Sequence, residues 1–230
     1  VQVPRLGDVP KAYREVLTSM HATEPQRDSR GSLRDLDETT RISDDEGMAL
    51  FSLAQQAPGA DTLEIGLAYG FSTVYLLAAH HARGTGSHTA VDPYQDTDWH
   101  GMGLACAERL VRQSSALTTA SFCHIPERSE HALVDLDRGG RRFGLTFIDG
   151  YHRFDDVLVD FTLAARLTEM GGFIVLHDMW LDSIAAVAGF VRCNRADFAE
   201  VDTGCENLFA VRRVGDDTRN WDHFRAFPMR

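Results

Sequence analysis

Strand-like and helix-like periods of apolar residues alternate along most of this 230-residue chain. Between Lys11 and Ala22 the apolar positions recur at helical spacing and predict one amphipathic helix. The next stretch, Thr23 to Arg41, is polar, arginine-rich and aperiodic, and reads equally as a mobile cover, a partner-binding arm or a surface extension. At Ser43 the spacing of serine, two residues and Glu46 marks a capping box. Met48, Leu50, Phe51, Leu53 and Ala54 then supply the apolar face of a helix reaching about Gln56, which Pro58-Gly59 ends. Thr62 to Ile65 is a short buried strand that enters a glycine turn and a helix from Phe71 to about Ala82.

The same unit recurs. Strands are predicted at His88 to Val91, Thr118 to Cys123, Gly144 to Ile148 and Gly172 to Leu176. Helices near Gly103 to Gln113, Ser129 to Leu136, Asp155 to Leu167 and Ser183 to Arg192 separate or follow them. Such alternation implies an α/β fold, a doubly wound and mostly parallel sheet covered on both faces. Two last strands, Phe198 to Val201 and Asn207 to Arg212, are joined by only Asp202 to Glu206; so short a link suits a hairpin and brings the total to seven, with one antiparallel edge. The expected organisation is an N-terminal extension or lid over 1–42, a catalytic domain over 43–213 and a polar tail from 214, whose Trp221, Phe224 and Phe227 can dock on a neighbour.

Composition narrows the ligand. At 43% hydrophobic the chain fills one substantial core. Its 34 acidic and 23 basic residues leave a net charge of −11, which repels phosphate backbones and anionic membranes and favours a small or cationic ligand. No apolar run spans a bilayer; the longest, around Ile184 to Val191, stops at Arg192. No charged-then-apolar leader opens the sequence. The four cysteines, Cys106, Cys123, Cys193 and Cys205, lack the spacing of a zinc knuckle or redox pair, so a reducing cytoplasm is the expected home. An exposed sheet edge or the N-terminal arm offers a homodimer contact.

In a doubly wound sheet, ligands sit beyond the carboxyl ends of the strands where strand order reverses. The first turn reads Glu64-Ile65-Gly66-Leu67-Ala68-Tyr69-Gly70: Gly66 permits a sharp turn and Gly70 close approach of the next helix. Ala68 stands where a pyrophosphate would need glycine, and the last glycine comes one residue early, so a dinucleotide is disfavoured. Asp92, ending the second strand, is placed to accept hydrogen bonds from ribose hydroxyls. Ribose without pyrophosphate points to an adenosine-type cofactor.

On Glu64, Gly66, Gly70 and Asp92 the sequence resembles the class I S-adenosylmethionine-dependent methyltransferases, over roughly Ile42 to Arg213. The resemblance implies that Glu64 helps hold the amino-acid end of the cofactor, that Asp92 holds its ribose, and that the stretch around Arg128, Ser129 and Glu130 borders its adenine. An ordinary tight turn would explain the glycines alone, but not Asp92 and the later motifs together.

Methyl transfer to a hydroxyl requires alignment and a base. The fourth strand ends in Asp149-Gly150-Tyr151-His152, a carboxylate and an imidazole three residues apart on the loop facing the cofactor; these form the preferred catalytic pair. The fifth strand ends in His177-Asp178, and two strand-end acids can share a cation. The arrangement resembles the metal-dependent O-methyltransferases that act on catechols and natural-product sugars, and a broad family of small bacterial methyltransferases, many from secondary metabolism. That resemblance implies Asp149 and Asp178 as metal ligands, Asp149 also beside the cofactor, and His152 as general base. The chain departs from the pattern beside Asp178, where His177 and Met179 replace the acidic or amide partner. Magnesium prefers oxygen donors, whereas manganese, iron or zinc accept an imidazole such as His177, and a metal-free site with His152 acting alone stays open.

Structural readings compete at each position. Asp149 can cap the following helix, His177 can be a hydrogen-bonded histidine at a buried strand end, and Tyr94, Trp99, Tyr151 and Trp180 can be packing rather than pocket walls. Two rival functions also remain. His152, His177 and Asp178 supply the residue types of a non-haem iron oxygenase, although neighbouring strand residues point to opposite faces. A binding-only protein that keeps the nucleoside without chemistry is the other; turnover separates it from an enzyme.

Overall fold

The computed structural model describes residues 5–37, 39–115 and 118–228. After a short 3-10 turn (Leu6–Asp8), helix α1 spans Lys11–His21, followed by a two-residue strand pair, β1 (Gln26–Arg27) and β2 (Leu33–Arg34). The remaining elements are α2 (Asp44–Gln56), β3 (Thr62–Ile65), α3 (Phe71–Arg83), β4 (Ser87–Val91), α4 (Met102–Ser114), β5 (Ser121–Ile125), α5 (Ser129–Arg138), β6 (Phe143–Ile148), α6 (Phe154–Leu167), β7 (Thr168–Leu176), α7 (Asp182–Asn194), β8 (Phe198–Val201) and β9 (Phe209–Arg213).

Seven strands form one sheet in the order β5-β4-β3-β6-β7-β9-β8, parallel except for β9, which runs antiparallel to both β7 and β8. The strand order reverses between β3 and β6, which opens a crevice at their carboxyl ends. Alternate residues serve opposite faces, as the pleat demands. Leu145, Phe147, Phe173 and Val175 join the apolar cluster with α1 to α4, while Ile148, Ile174 and Leu176 join the one with α5 to α7. The N-terminal helix belongs to the first cluster through Tyr13, Leu17 and Met20, all buried. In the tail, Phe227 packs on Phe190 of α7 at 5.8 Å, and Asn194 bonds the backbone of Arg225 through both its amide atoms. Trp221 remains 98% exposed.

The Ser43 capping box forms as the spacing predicts: the Glu46 N–H donates to Ser43 Oγ, and the Glu46 carboxylate accepts the Ser43 N–H at 2.6 Å. Three strand starts differ from expectation by two residues or more. Strand β9 begins at Phe209 rather than Asn207, because the Leu208 N–H still bonds Cys205 O in the link from β8. Strand β5 starts at Ser121 rather than Thr118, because the Thr118 N–H still bonds Ser114 O behind α4 and pairing with β4 begins at Ser87 and Ser121. The β-branched Thr118 and Thr119 suit a strand but precede its partner. Strand β7 starts four residues early because Thr168 pairs with Phe143, with a register break before Phe173 that Gly171 accommodates at φ +81°. No described helix is long and apolar enough to cross a membrane.

Candidate active site

Register assembles the site. Ile65 pairs with Val91 on one side and with Ile148 on the other, and Ile148 pairs with Leu176. The next residues along the four strands, Gly66, Asp92, Asp149 and His177, therefore stand in a row at the carboxyl edge of the sheet. A cleft of about 350 Å³ opens there, lined by Gly66, Ala68, Asp92, Ser129, Asp149 and His152 of the expected residues. Tyr94, Asp98, Trp99, Arg128, Glu130 and Asp156 complete much of its wall.

The first turn is conformationally costly. Gly66, Ala68 and Gly70 have φ of +93°, +44° and +86°, and for alanine the left-handed region is unfavourable by about 1–2 kcal/mol. Asp92 holds it: its Oδ2 accepts from Leu67 N–H at 3.1 Å, Ala68 N–H at 2.9 Å and Gln95 Nε2 at 3.0 Å, and its Oδ1 from Tyr94 N–H at 2.7 Å. Oδ1 keeps acceptor capacity for a ligand hydroxyl. A Cβ at Gly66 would stand 2.1 Å from Asp149 O, so the first turn and the loop after β6 touch backbone to backbone.

Glu64 and Gly70 lie outside the cleft lining. Glu64 is fully buried on the face of β3 that meets α3, and the Ser72 and Thr73 hydroxyls donate to its carboxylate. His88 Nε2 stands 3.1 Å from its Oε2, and Thr62 Oγ1 links His88 Nδ1 (2.9 Å) to His80 Nε2 (2.8 Å). Gly70 caps α3, where a Cβ would stand 3.2 Å from the Gly103 Cα of α4.

Across the cleft, Asp149, His152 and Asp178 each offer one ligand atom within 4.8 Å of the others. His152 Nε2 is 3.2 Å from Asp178 Oδ2 and 3.5 Å from Asp149 Oδ1. Asp178 adopts φ +57°, which breaks the strand alternation, and its Oδ1 comes within 3.4 Å of His177 Nδ1 while accepting the Trp180 indole N–H at 2.9 Å. The imidazole in this group is thus His152, and His177 stands behind it. His177 Nδ1 meets Asp149 Oδ1 at 3.1 Å, and its Nε2 faces Glu46 Oε1 at 3.5 Å and the Asn207 amide at 3.2 Å. With both ring nitrogens engaged, His177 does not complete a facial triad with His152 and Asp178.

These contacts set the charges. Burial opposes charge on His177, but hydrogen bonds to Asp149 and Glu46 outweigh it and push its pKa up to about 10. Asp149 is held well below the usual carboxylate range, again against burial, by His152 and His177. Glu46 is drawn down to about 2 by His177, Ser43 and Asn207 despite burial. His152 is raised above 6.5, first by its hydrogen bond to Asp149, with burial opposing. Burial raises Asp160, beside Ser129, to about 6.

The linkage has a definite sign. His177 stabilises the fold fully below its ordinary 6.5 and loses that contribution as pH rises through about 10; Glu46 contributes above 4.5 and loses it as pH falls through about 2. Urea unfolding at several pH values between about 6 and 10 is expected to show stability falling in the native chain and a flatter profile in His177→Gln. Parallel profiles would remove His177 as the cause.

The family model described as a methyltransferase domain matches residues 63–179, from β3 to the loop after β7. The chain belongs to this methyltransferase-domain family. The solved structure of TomG, an O-methyltransferase from Streptomyces achromogenes involved in tomaymycin synthesis and solved with S-adenosylmethionine, is 19% identical, with TM-score 0.60 and coverage of 94% of this chain and 93% of that one. The Bacillus cereus O-methyltransferase solved with S-adenosylhomocysteine is 14% identical (TM-score 0.59; 93% of each chain). The O-methyltransferase NovP is 13% identical (TM-score 0.59; 88% of this chain and 98% of that one). At these identities the likeness establishes the fold. No curated protein matches the chain.

Sequence reasoning missed Gln95, which secures the turn, and Glu46 and Asn207, which brace His177 from outside the matched stretch. Glu46 was fully accounted for by its capping box, and Asn207 opened a strand-like run with no polar signal. Nothing local in the sequence reports that these two meet across 161 positions at 2.8 Å.

Proposed function

We propose that this chain is an S-adenosylmethionine-dependent O-methyltransferase that methylates a hydroxyl on a small molecule, such as a sugar or secondary metabolite, in a reducing cytoplasm. The carrying observation is that one cleft holds both the Asp92-braced turn and the Asp149–His152 pair. In this reading Gly66 and Ala68 present the turn's backbone to the cofactor, Asp92 Oδ1 accepts a ribose hydroxyl, and Ser129 borders the adenine. Glu64 acts from behind, fixing the first turn of α3 through Ser72 and Thr73. Tyr94, Trp99 and Tyr151 form the apolar wall against which the acceptor lies.

His152, half-exposed on the cleft wall, takes the acceptor's proton, and Asp149 orients its ring and favours the imidazolium that results. Asp149 and Asp178, with the His152 imidazole within 4.8 Å, suit a divalent cation; with His152 as the base the donors are carboxylate oxygens, and only His152 as a ligand instead would favour manganese, iron or zinc over magnesium. Asp149 and Asp178 would hold such an ion, which supplies Lewis acidity that lowers the acceptor hydroxyl's pKa. The TomG and NovP folds, both from O-methyltransferases, support the reaction class.

Calorimetric titration with S-adenosylmethionine, with and without divalent ions, tests the cofactor half, and methyl transfer to a panel of hydroxyl acceptors tests the rest. One-site binding with turnover is expected. Binding without transfer to any acceptor would favour the nucleoside-binding protein instead, and absence of binding would end the proposal.

A further inference from the structure

A second cavity, of about 210 Å³, forms where the ends of α6 and β9, the residues after α7 and the tail meet, and it shares no lining residue with the cleft. Four guanidinium groups line it, from Arg166, Arg195, Arg213 and Arg219, against two carboxylates, Asp197 and Asp217. In a chain of net charge −11 this local excess runs against the composition.

The pairing leaves positive charge over. Arg195, its side chain only 5% exposed, lies 5.3 Å from the Phe161 ring centroid and 5.0 Å from that of Phe198, and donates through Nε and Nη2 to Asp197 at 2.9 and 2.6 Å. Its Nη1 donates to no described residue. Arg219 is likewise committed to Asp217, at 2.8 and 2.6 Å. Arg213 bonds the carbonyls of Thr168 and Gly215, and its carboxylate partner, Asp216, is 81% exposed, where water screens the pair. Arg166, in the last turn of α6, makes no ion pair or side-chain hydrogen bond among the described residues. A cation there compensates the helix's negative pole, but that accounts for one arginine and not for four around a cavity.

We infer that this cavity binds a dianionic phosphate group, with Arg195 fixed as the buried wall and Arg166 and Arg213 as the donors that close on it. The four lining arginines exceed the two lining aspartates by two charges, with Asp216 standing out in water, and guanidinium forks suit the oxygens of a phosphate dianion. The phosphate is either free or carried on a small ester, and the two share this chemistry.

The test is titration of the full chain with inorganic phosphate and with a simple alkyl phosphomonoester, at constant ionic strength set with chloride. Saturable heat and a raised Tm are expected with phosphate, weakened about tenfold in Arg166→Ala and unchanged in Arg112→Ala, an exposed arginine on α4. The tighter of the two probes then identifies the source. No saturable heat in the native chain, or equal behaviour of the two arginine variants, overturns the inference.

Discussion

His152→Ala is expected to lower turnover by about 100- to 10,000-fold, the range for removing a positioned general base, while S-adenosylmethionine still binds with nearly native affinity. The base must be neutral to act, and its contacts with Asp149 and Asp178 raise its pKa. In the native chain kcat/KM should therefore climb with pH through an inflection above 6.5, and that inflection should vanish in the variant. The same Nε2 cannot ligate a metal and accept a proton at once. Metal titration followed by the spectrum of bound cobalt or manganese separates the roles: a base leaves metal affinity near native in His152→Ala, whereas a ligand lowers affinity and turnover together. Retention of native turnover would remove His152 from the chemistry.

Asp92→Ala is expected to damage both binding and stability. Each buried donor left without an acceptor costs about 1–3 kcal/mol, and the N–H of Leu67, itself buried, is the clearest case. Without the carboxylate the left-handed Ala68 loses the acceptor of its N–H and keeps the Gln95 amide on its carbonyl at 2.8 Å. Cofactor affinity should fall about 10- to 100-fold, since a hydrogen bond to a charged acceptor and the shape of the turn are lost together. Calorimetry and urea unfolding on the same sample check the two effects. A variant that loses stability but binds the cofactor normally would confine Asp92 to holding the turn.

Most of the architecture was legible because it is written in short-range patterns. The Ser43 capping box, the glycine turn and the brief hairpin link each report on neighbours in sequence, and alternation of periods implies the parallel sheet. Boundaries slipped where partners decide them, as at Ser121, whose strand begins only where β4 can pair. The row of strand-end residues was legible for the same reason as the sheet. Which imidazole joins the carboxylates was not. A strand rule sends His177 and Asp178 to opposite faces, and only the left-handed backbone of Asp178 brings its carboxylate round to both histidines. The engagement of His177 by Glu46 and Asn207 depends on contacts between distant segments, which no local period encodes.

The placement of β9 has a consequence for biosynthesis. This strand inserts between β7 and β8, and Asn207, which reaches His177, lies just ahead of it. A nascent chain that has emerged only as far as β7 exposes Ile174, Val175 and Leu176 along an open strand margin, a template for pairing with other chains. Synthesis of residues 198–213 therefore covers that margin and supplies the Asn207 brace of His177 together, so a chain truncated after β7 is expected to self-associate where the full chain does not.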